Sequence, residues 1–146
     1  MSIMHALGVE TPALRLRNRV SELPRLAAWT DELCRSLGLP DRIRHDLRLA
    51  LEEVVTNVIS HAYRNDAAHE IVVRASTRAD GLEVEVEDDG VEFDPLAVLP
   101  PDTTVPLEER PVGGLGIHLI RHAVDAVRYR RRDGKNVLAL FKRVGV

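Results

Sequence analysis

The sequence predicts an α+β fold, a two-layer sandwich with helices on one face of a mixed, mostly antiparallel sheet. Three observations predict it: two successive segments of helical periodicity between residues 21 and 63, an alternating pair joined at Ala79-Asp80-Gly81, and a second pair joined at Asp133-Gly134. A further helical segment separates the pairs, so the order is strand, two helices, two strands, loop, helix, two strands. At 146 residues the chain is sized for a single domain, spanning residues 1–146, with a core of its own. Hydrophobic residues at 45% and charged residues at 29% are ordinary for a soluble globular protein.

Residues 13–17 alternate and are short, as an edge strand would be. Ser21-Glu22-Leu23-Pro24 then opens a helix, with Ser21 as its cap and Pro24 in its first turn. Leu26, Trp29, Thr30, Leu33 and Leu37 recur at helical spacing, and Gly38 ends the run. Cys34, the sole cysteine, falls among Trp29, Leu33 and Leu37 and is expected to be a packing residue. One cysteine excludes an intramolecular disulfide and any multi-cysteine metal site. Pro40-Asp41 begins a second helix reaching about Tyr63, and residues 65–69 form a polar turn. Strands are expected over residues 70–77 and 82–88. From Asp89 to Arg110 the chain loses periodicity and carries Pro95, Pro100, Pro101 and Pro106, which marks a long loop. Gly113-Gly114-Leu115-Gly116 leads into a helix over residues 117–124, followed by strands over residues 127–132 and 136–142.

The net charge of −3 argues against a dedicated nucleic-acid binder. Arg128, Arg130, Arg131 and Arg132 are read as the solvated face of a strand rather than a phosphate patch. The first ten residues lack the basic flank and apolar run of a signal peptide. No stretch approaches the ~20 apolar residues of a membrane span. The expectation is a soluble cytoplasmic protein with no nucleic-acid or membrane partner.

Chemistry concentrates in three places. On the second helix, Leu47, Ala50, Leu51, Val54, Val55, Val58, Ile59 and Ala62 fall on one apolar arc, and Glu53, Asn57 and His61 run along its edge. Each step along that edge drifts by roughly 40°. A carboxylate and a carboxamide one turn apart suit a proton acceptor and a neutral metal ligand; an ordinary helix with a polar margin would read the same. Asp88-Asp89-Gly90, at a strand end, offers a carboxylate to an exocyclic amine and a glycine for close backbone approach, and is equally good turn chemistry. Gly113-Gly114-Leu115-Gly116 before a helix is a candidate phosphate cradle. No Gly-Lys-Ser/Thr follows, so it is not a P-loop, and no strand directly precedes it, so it is not a dinucleotide fingerprint. Arg110, upstream, either reaches a terminal phosphate or is a solvated loop charge.

Together the three elements resemble the Bergerat ATP-binding fold of gyrase, heat-shock chaperone, histidine kinase and mismatch-repair ATPases. Within it they are most similar to the anti-sigma-factor serine-protein kinases of bacterial partner switching. The words are Glu53-Val54-Val55-Thr56-Asn57-Val58-Ile59-Ser60-His61-Ala62-Tyr63, Asp88-Asp89-Gly90-Val91-Glu92-Phe93-Asp94-Pro95 and Gly113-Gly114-Leu115-Gly116-Ile117. The resemblance implies ATP and Mg²⁺ as cofactors, Asn57 as the Mg²⁺ ligand, Glu53 as the catalytic base, and Asp88 on the adenine amine with Gly90 giving the ring room. It further implies Gly113, Gly114, Leu115 and Gly116 along the phosphates with Arg110 near them, His61 in a supporting role, and a mobile lid over residues 95–112. The implied function is phosphorylation of an anti-sigma antagonist protein by a serine/threonine kinase that also binds a sigma factor or similar regulator, as a homodimer. A non-catalytic binding module and an ATPase acting on water are the alternatives. Two positions depart from the pattern: Glu92 stands where a second glycine is usual, and the late hairpin Gly134-Lys135-Asn136-Val137 has no threonine to support adenine, only Asn136 as a candidate substitute that is not assigned the role.

Overall fold

The computed structural model describes residues 12–63, 67–97 and 114–144. Strand β1 is Leu14–Arg17, helix α1 Leu23–Ser36, helix α2 Asp41–His61, β2 Glu70–Thr77 and β3 Gly81–Asp88. Helix α3 is Gly114–Ala123, β4 Ala126–Arg132 and β5 Lys135–Arg143. The strands form one sheet in the order β1-β2-β3-β5-β4. Every pairing in it is antiparallel, which corrects the expected mixed sheet. The reason is the path of the chain: after β3 it passes through α3 and returns as β4 at the far edge. β5, joined to β4 by a hairpin, then slots between β4 and β3 and runs against both.

Period-two alternation puts Ile71, Val73, Ala75, Leu82, Val84, Val86, Leu138 and Leu140 on the helix-facing side, all buried. Against them α2 buries Ile43, Leu47, Ala50, Leu51, Val54 and Val55, spaced as one helical stripe. Helix α1 adds Leu26, Leu33 and Cys34 to the same core, so Cys34 packs as expected. Each fully buried aliphatic side chain contributes about 1.5–3 kcal/mol relative to exposure. Lys142 crosses the base of the sandwich: its Nζ donates to Asp46 Oδ2 at 3.0 Å and to the Ala123 carbonyl at 2.7 Å. It thereby caps the C-terminus of α3 and ties α2 to the sheet, which aims the other end of α3 at the upper edge of the sheet.

Three expectations are corrected here. Ser21 does not cap α1, because residues 20–22 form a 3-10 turn and Glu22 takes the cap position without a side-chain cap bond. The Glu22 carboxylate instead accepts from the Arg17 backbone N–H and from Arg25, both at 2.9 Å, and these bonds hold its carboxyl below the usual range. Helix α3 starts at Gly114, so the last three residues of the glycine-rich run lie inside its first turn rather than before it. The four arginines near the C-terminus also divide. Arg128, Arg130 and Arg132 point to the open sheet face and pair with Glu83, Glu85 and Glu87 at 2.9, 3.2 and 3.6 Å, whereas Arg131 points the other way and donates to the Gly90 carbonyl at 2.9 Å. The turn that sets this register is a tight one, with Asp133 at φ 53° and Gly134 at φ 77°. No described helix is long and apolar enough to cross a membrane.

Candidate functional site

The C-terminal half of α2, the middle of α3, the upper ends of β3, β5 and β4 and the segment after β3 line one cleft. Val54 and Val58 of α2, Ala62 just past its end, Val86 of β3, Leu138 of β5 and Ile120 of α3 make its walls apolar. Asn57, Asp88, Asn136 and Tyr129 supply its polar groups, and Phe93 and Pro95 stand on the segment leaving β3. An apolar slot with a few converging polar groups is the usual form of a small-ligand site.

Asp88 reaches the cleft because the pleat of β3 puts Leu82, Val84, Val86 and Asp88 on one face, the carboxylate following the last apolar residue. Asp88 is buried, at 4% exposure. Its Oδ1 accepts from the Gly90 N–H and from Asn136 Nδ2, each at 2.9 Å, and Oδ2 has no partner among the described residues. Burial raises its pKa; the bonds from Asn136 and Gly90 and the nearby Arg131 act against that rise, and Asp89 adds to it.

Gly90 does not line the cleft. A Cβ there would stand 2.3 Å from the Ala62 carbonyl oxygen and 2.6 Å from its Cβ, and the Val91 N–H donates to that carbonyl at 2.8 Å. The glycine lets the chain lie against the end of α2. Gly90→Ala is therefore expected to destabilise the fold by about 1–3 kcal/mol in denaturant titration, since backbone must move to admit the methyl group. An unchanged midpoint would show that the turn yields freely.

At the other end of the cleft α3 begins against Glu53 and Asn57. A Cβ on Gly116 would lie 2.7 Å from Glu53 Oε2 and 3.3 Å from Asn57 Nδ2, so only glycine allows the helix start to sit on that pair undisturbed. The N–H groups of a first helical turn have no intrahelical acceptor, and Gly114, Leu115 and Gly116 occupy that turn. Such a turn, with the helix dipole behind it, favours negative charge, and here it stands beside a carboxylate and a carboxamide. His61, by contrast, is exposed at the last position of α2 and outside the cleft. Arg110, Gly113 and the lid expected over residues 95–112 lie outside the described residues, apart from Pro95–Ala97, which form a 3-10 turn.

Glu92 is exposed, and among the described non-glycine residues only Asp133 has positive φ. The chain thus passes the usual second-glycine position without a left-handed turn. Sequence reasoning missed Tyr129 and raised Asn136 only as a substitute for the absent threonine, not as a partner of Asp88. The signal for Asn136 was available: it is the polar residue at the head of an inward row that runs through Leu138 and Leu140 to Lys142. In the sheet it stands directly opposite Asp88.

A two-layer sandwich with an apolar cleft between helices and sheet, closed at one end by a glycine-bearing helix start, has the form of a nucleotide-binding domain. The chain belongs to the histidine kinase-like ATPase domain family, whose model matches residues 16–142. It is 35% identical over 136 residues to the serine/threonine-protein kinase BtrW of Bordetella bronchiseptica, covering 92% of this chain and 94% of that protein. To the serine-protein kinase RsbW of Bacillus cereus it is 36% identical over 97 residues, 64% of this chain and 60% of that one. Among solved structures, the RsbU and RsbW domains of a Mycobacterium tuberculosis protein match with a TM-score of 0.64 at 20% identity, covering 92% of this chain and 33% of that one. The histidine kinase domain of a blue-light-activated kinase from Erythrobacter litoralis matches with a TM-score of 0.55 at 20% identity, over 85% of this chain and 60% of that one. These last two likenesses concern the fold alone.

Proposed function

We infer that the chain is an ATP-dependent serine/threonine-protein kinase of the partner-switching kind, which phosphorylates a small antagonist protein and holds a sigma factor or similar regulator in alternation with it. The observation that carries this reading is the meeting of Gly116 with Glu53 and Asn57 at one end of a cleft whose other end holds Asp88. A purely passive binding module has no physical need for a carboxylate and a carboxamide beneath a helix N-terminus.

The residues present fit ATP and Mg²⁺: a Cβ at Gly116 would fill the space between the helix start and the two side chains, and among the described residues Asp88 keeps an acceptor free. ATP supplies the phosphoryl group and Mg²⁺ neutralises its charge as it moves. Asp88 accepts from the amine of the base, and Val54, Val58, Ile120 and Leu138 keep water from its faces. The first turn of α3, with Gly113 and Arg110 from the preceding segment, holds the phosphates. Asn57 offers a neutral hard oxygen to the cation. Glu53 takes the proton of the attacking hydroxyl. His61, exposed at the helix end, has no part in this scheme.

Incubation with Mg-ATP and candidate antagonist proteins, followed by intact-mass measurement, tests the reading: one added phosphate on the antagonist is expected. Binding without modification would select a passive module instead. Asn57→Ala is expected to weaken Mg²⁺-dependent ATP binding by about tenfold to a hundredfold, the scale on which metal sites respond to a lost oriented contact. Titration with Mg²⁺ and with EDTA measures it, and an unaltered Mg²⁺ dependence would remove Asn57 from the site.

A further inference from the structure

Asn136 has no free hydrogen-bonding group. It is buried, at 5% exposure, and stands opposite Asp88 across the β3–β5 pairing. Its Nδ2 donates to Asp88 Oδ1 at 2.9 Å and to the Val91 carbonyl at 2.8 Å. Its Oδ1 accepts from the Phe93 N–H at 3.2 Å and from the Tyr129 hydroxyl at 2.6 Å. Two backbone groups fix this orientation. The Phe93 N–H can only donate and the Val91 carbonyl can only accept, so a flipped amide would set donor against donor and acceptor against acceptor. With two N–H donors and two lone pairs engaged, the side chain is saturated.

We propose that Asn136 is a positioning residue for base recognition: it locks Asp88 so that a single carboxylate oxygen faces the cleft, and it makes no contact with the nucleotide itself. The inference rests on the reading of the cleft as an ATP pocket and deepens it. The torsion about a carboxylate is broad and two-fold. With only the Gly90 N–H to hold it, Asp88 would turn more freely, and the oxygen offered to the base amine would have to be ordered at each binding event. The same amide ties Val91 and Phe93 to β5, which keeps the Phe93 ring, 39% exposed, at the cleft it lines. Where a short hydroxyl side chain could address a ligand directly, this chain has a longer amide that addresses the protein.

The measurement is a ratio. Dissociation constants are taken for ATP and for purine riboside triphosphate, which lacks only the amine, on the wild-type chain and on Asn136→Ala and Tyr129→Phe. Wild type is expected to favour ATP by about tenfold or more, the scale of a hydrogen bond to a charged group. Asn136→Ala is expected to compress that preference to about twofold, as the ordering of Asp88 is lost. A merely structural role would weaken both ligands alike and leave the ratio standing. Tyr129→Phe removes a hydroxyl whose side-chain partner is Asn136, and is expected to reduce the preference by about two- to threefold with the fold intact. It decides the matter if Asn136→Ala fails to fold. An unchanged ratio in the folded variants overturns the inference alone. A wild-type chain that binds both nucleotides equally, or neither, overturns the reading of the pocket and the inference with it.

Discussion

Glu53→Ala is expected to keep ATP affinity close to wild type while phosphoryl transfer to the antagonist falls by about 10²–10⁴-fold, the usual contribution of a positioned general base. The separation follows from where the residue stands. Glu53 is half-buried on α2 and is not among the cleft's lining residues, yet its Oε2 sits where a Cβ on Gly116 would approach to 2.7 Å. Under the proposed function it belongs to the phosphate end, where the acceptor hydroxyl would arrive. The loss is partial because phosphoryl transfer depends mainly on positioning and charge stabilisation, which the start of α3 and Asn57 would still provide. Glu53→Gln is the companion variant: it keeps the shape against Gly116 but cannot take a proton. Equal loss in both variants, with unchanged ATP binding, assigns proton acceptance. If Glu53→Gln phosphorylated its partner at the wild-type rate, the base would be elsewhere. If both variants lost ATP, Glu53 would be a strut for α3.

Much of this arrangement was legible in the sequence, and the misses share a cause. Alternation marked β2 to the residue, and the apolar stripe of α2 marked the helix that carries Glu53 and Asn57. The same stripe misled at His61. Steps of four residues drift by roughly 40° each, so two steps carry His61 roughly 80° around the helix from Glu53, away from the cleft. A glycine at position 90 marks a close approach, but a sequence does not say which surface is approached; within the chain it is the end of α2. Asn136 meets Asp88 only because β5 inserts between β3 and β4. That insertion depends on the strand order, which no local pattern records. Ser21 does not cap because residues 20–22 close into a 3-10 turn, where Glu22 gains both the Arg17 N–H and Arg25 as the chain passes from β1 into α1.

Asp88→Asn should divide binding from stability. In the variant, Oδ1 can keep its bonds from Gly90 and Asn136, while an NH₂ group replaces the oxygen that has no partner among the described residues. The base amine would then meet a donor instead of an acceptor, and ATP affinity is expected to fall on the order of a hundredfold, reflecting a lost charged hydrogen bond and an unpaired buried donor. Stability moves differently. Burial, the largest influence on Asp88, raises its pKa in the folded chain, so the folded state binds this proton more tightly than the unfolded state does. That contribution favours folding below the unfolded pKa and is lost as pH rises through the folded one, so the ionised group is a burden near neutrality. The uncharged amide removes the burden. Asp88→Asn is expected to melt at or above the wild-type temperature at neutral pH, and its advantage should shrink as the medium is acidified and the native carboxyl gains its proton. Wild-type ATP binding should weaken over that same acid range, because a protonated Asp88 presents a donor to the amine. Melting curves and nucleotide titrations from mildly acid to neutral pH follow both trends. A variant that bound ATP as wild type does would take Asp88 out of base recognition. One that lost stability together with binding would make Asp88 a support of the sheet edge, with the base read by another group.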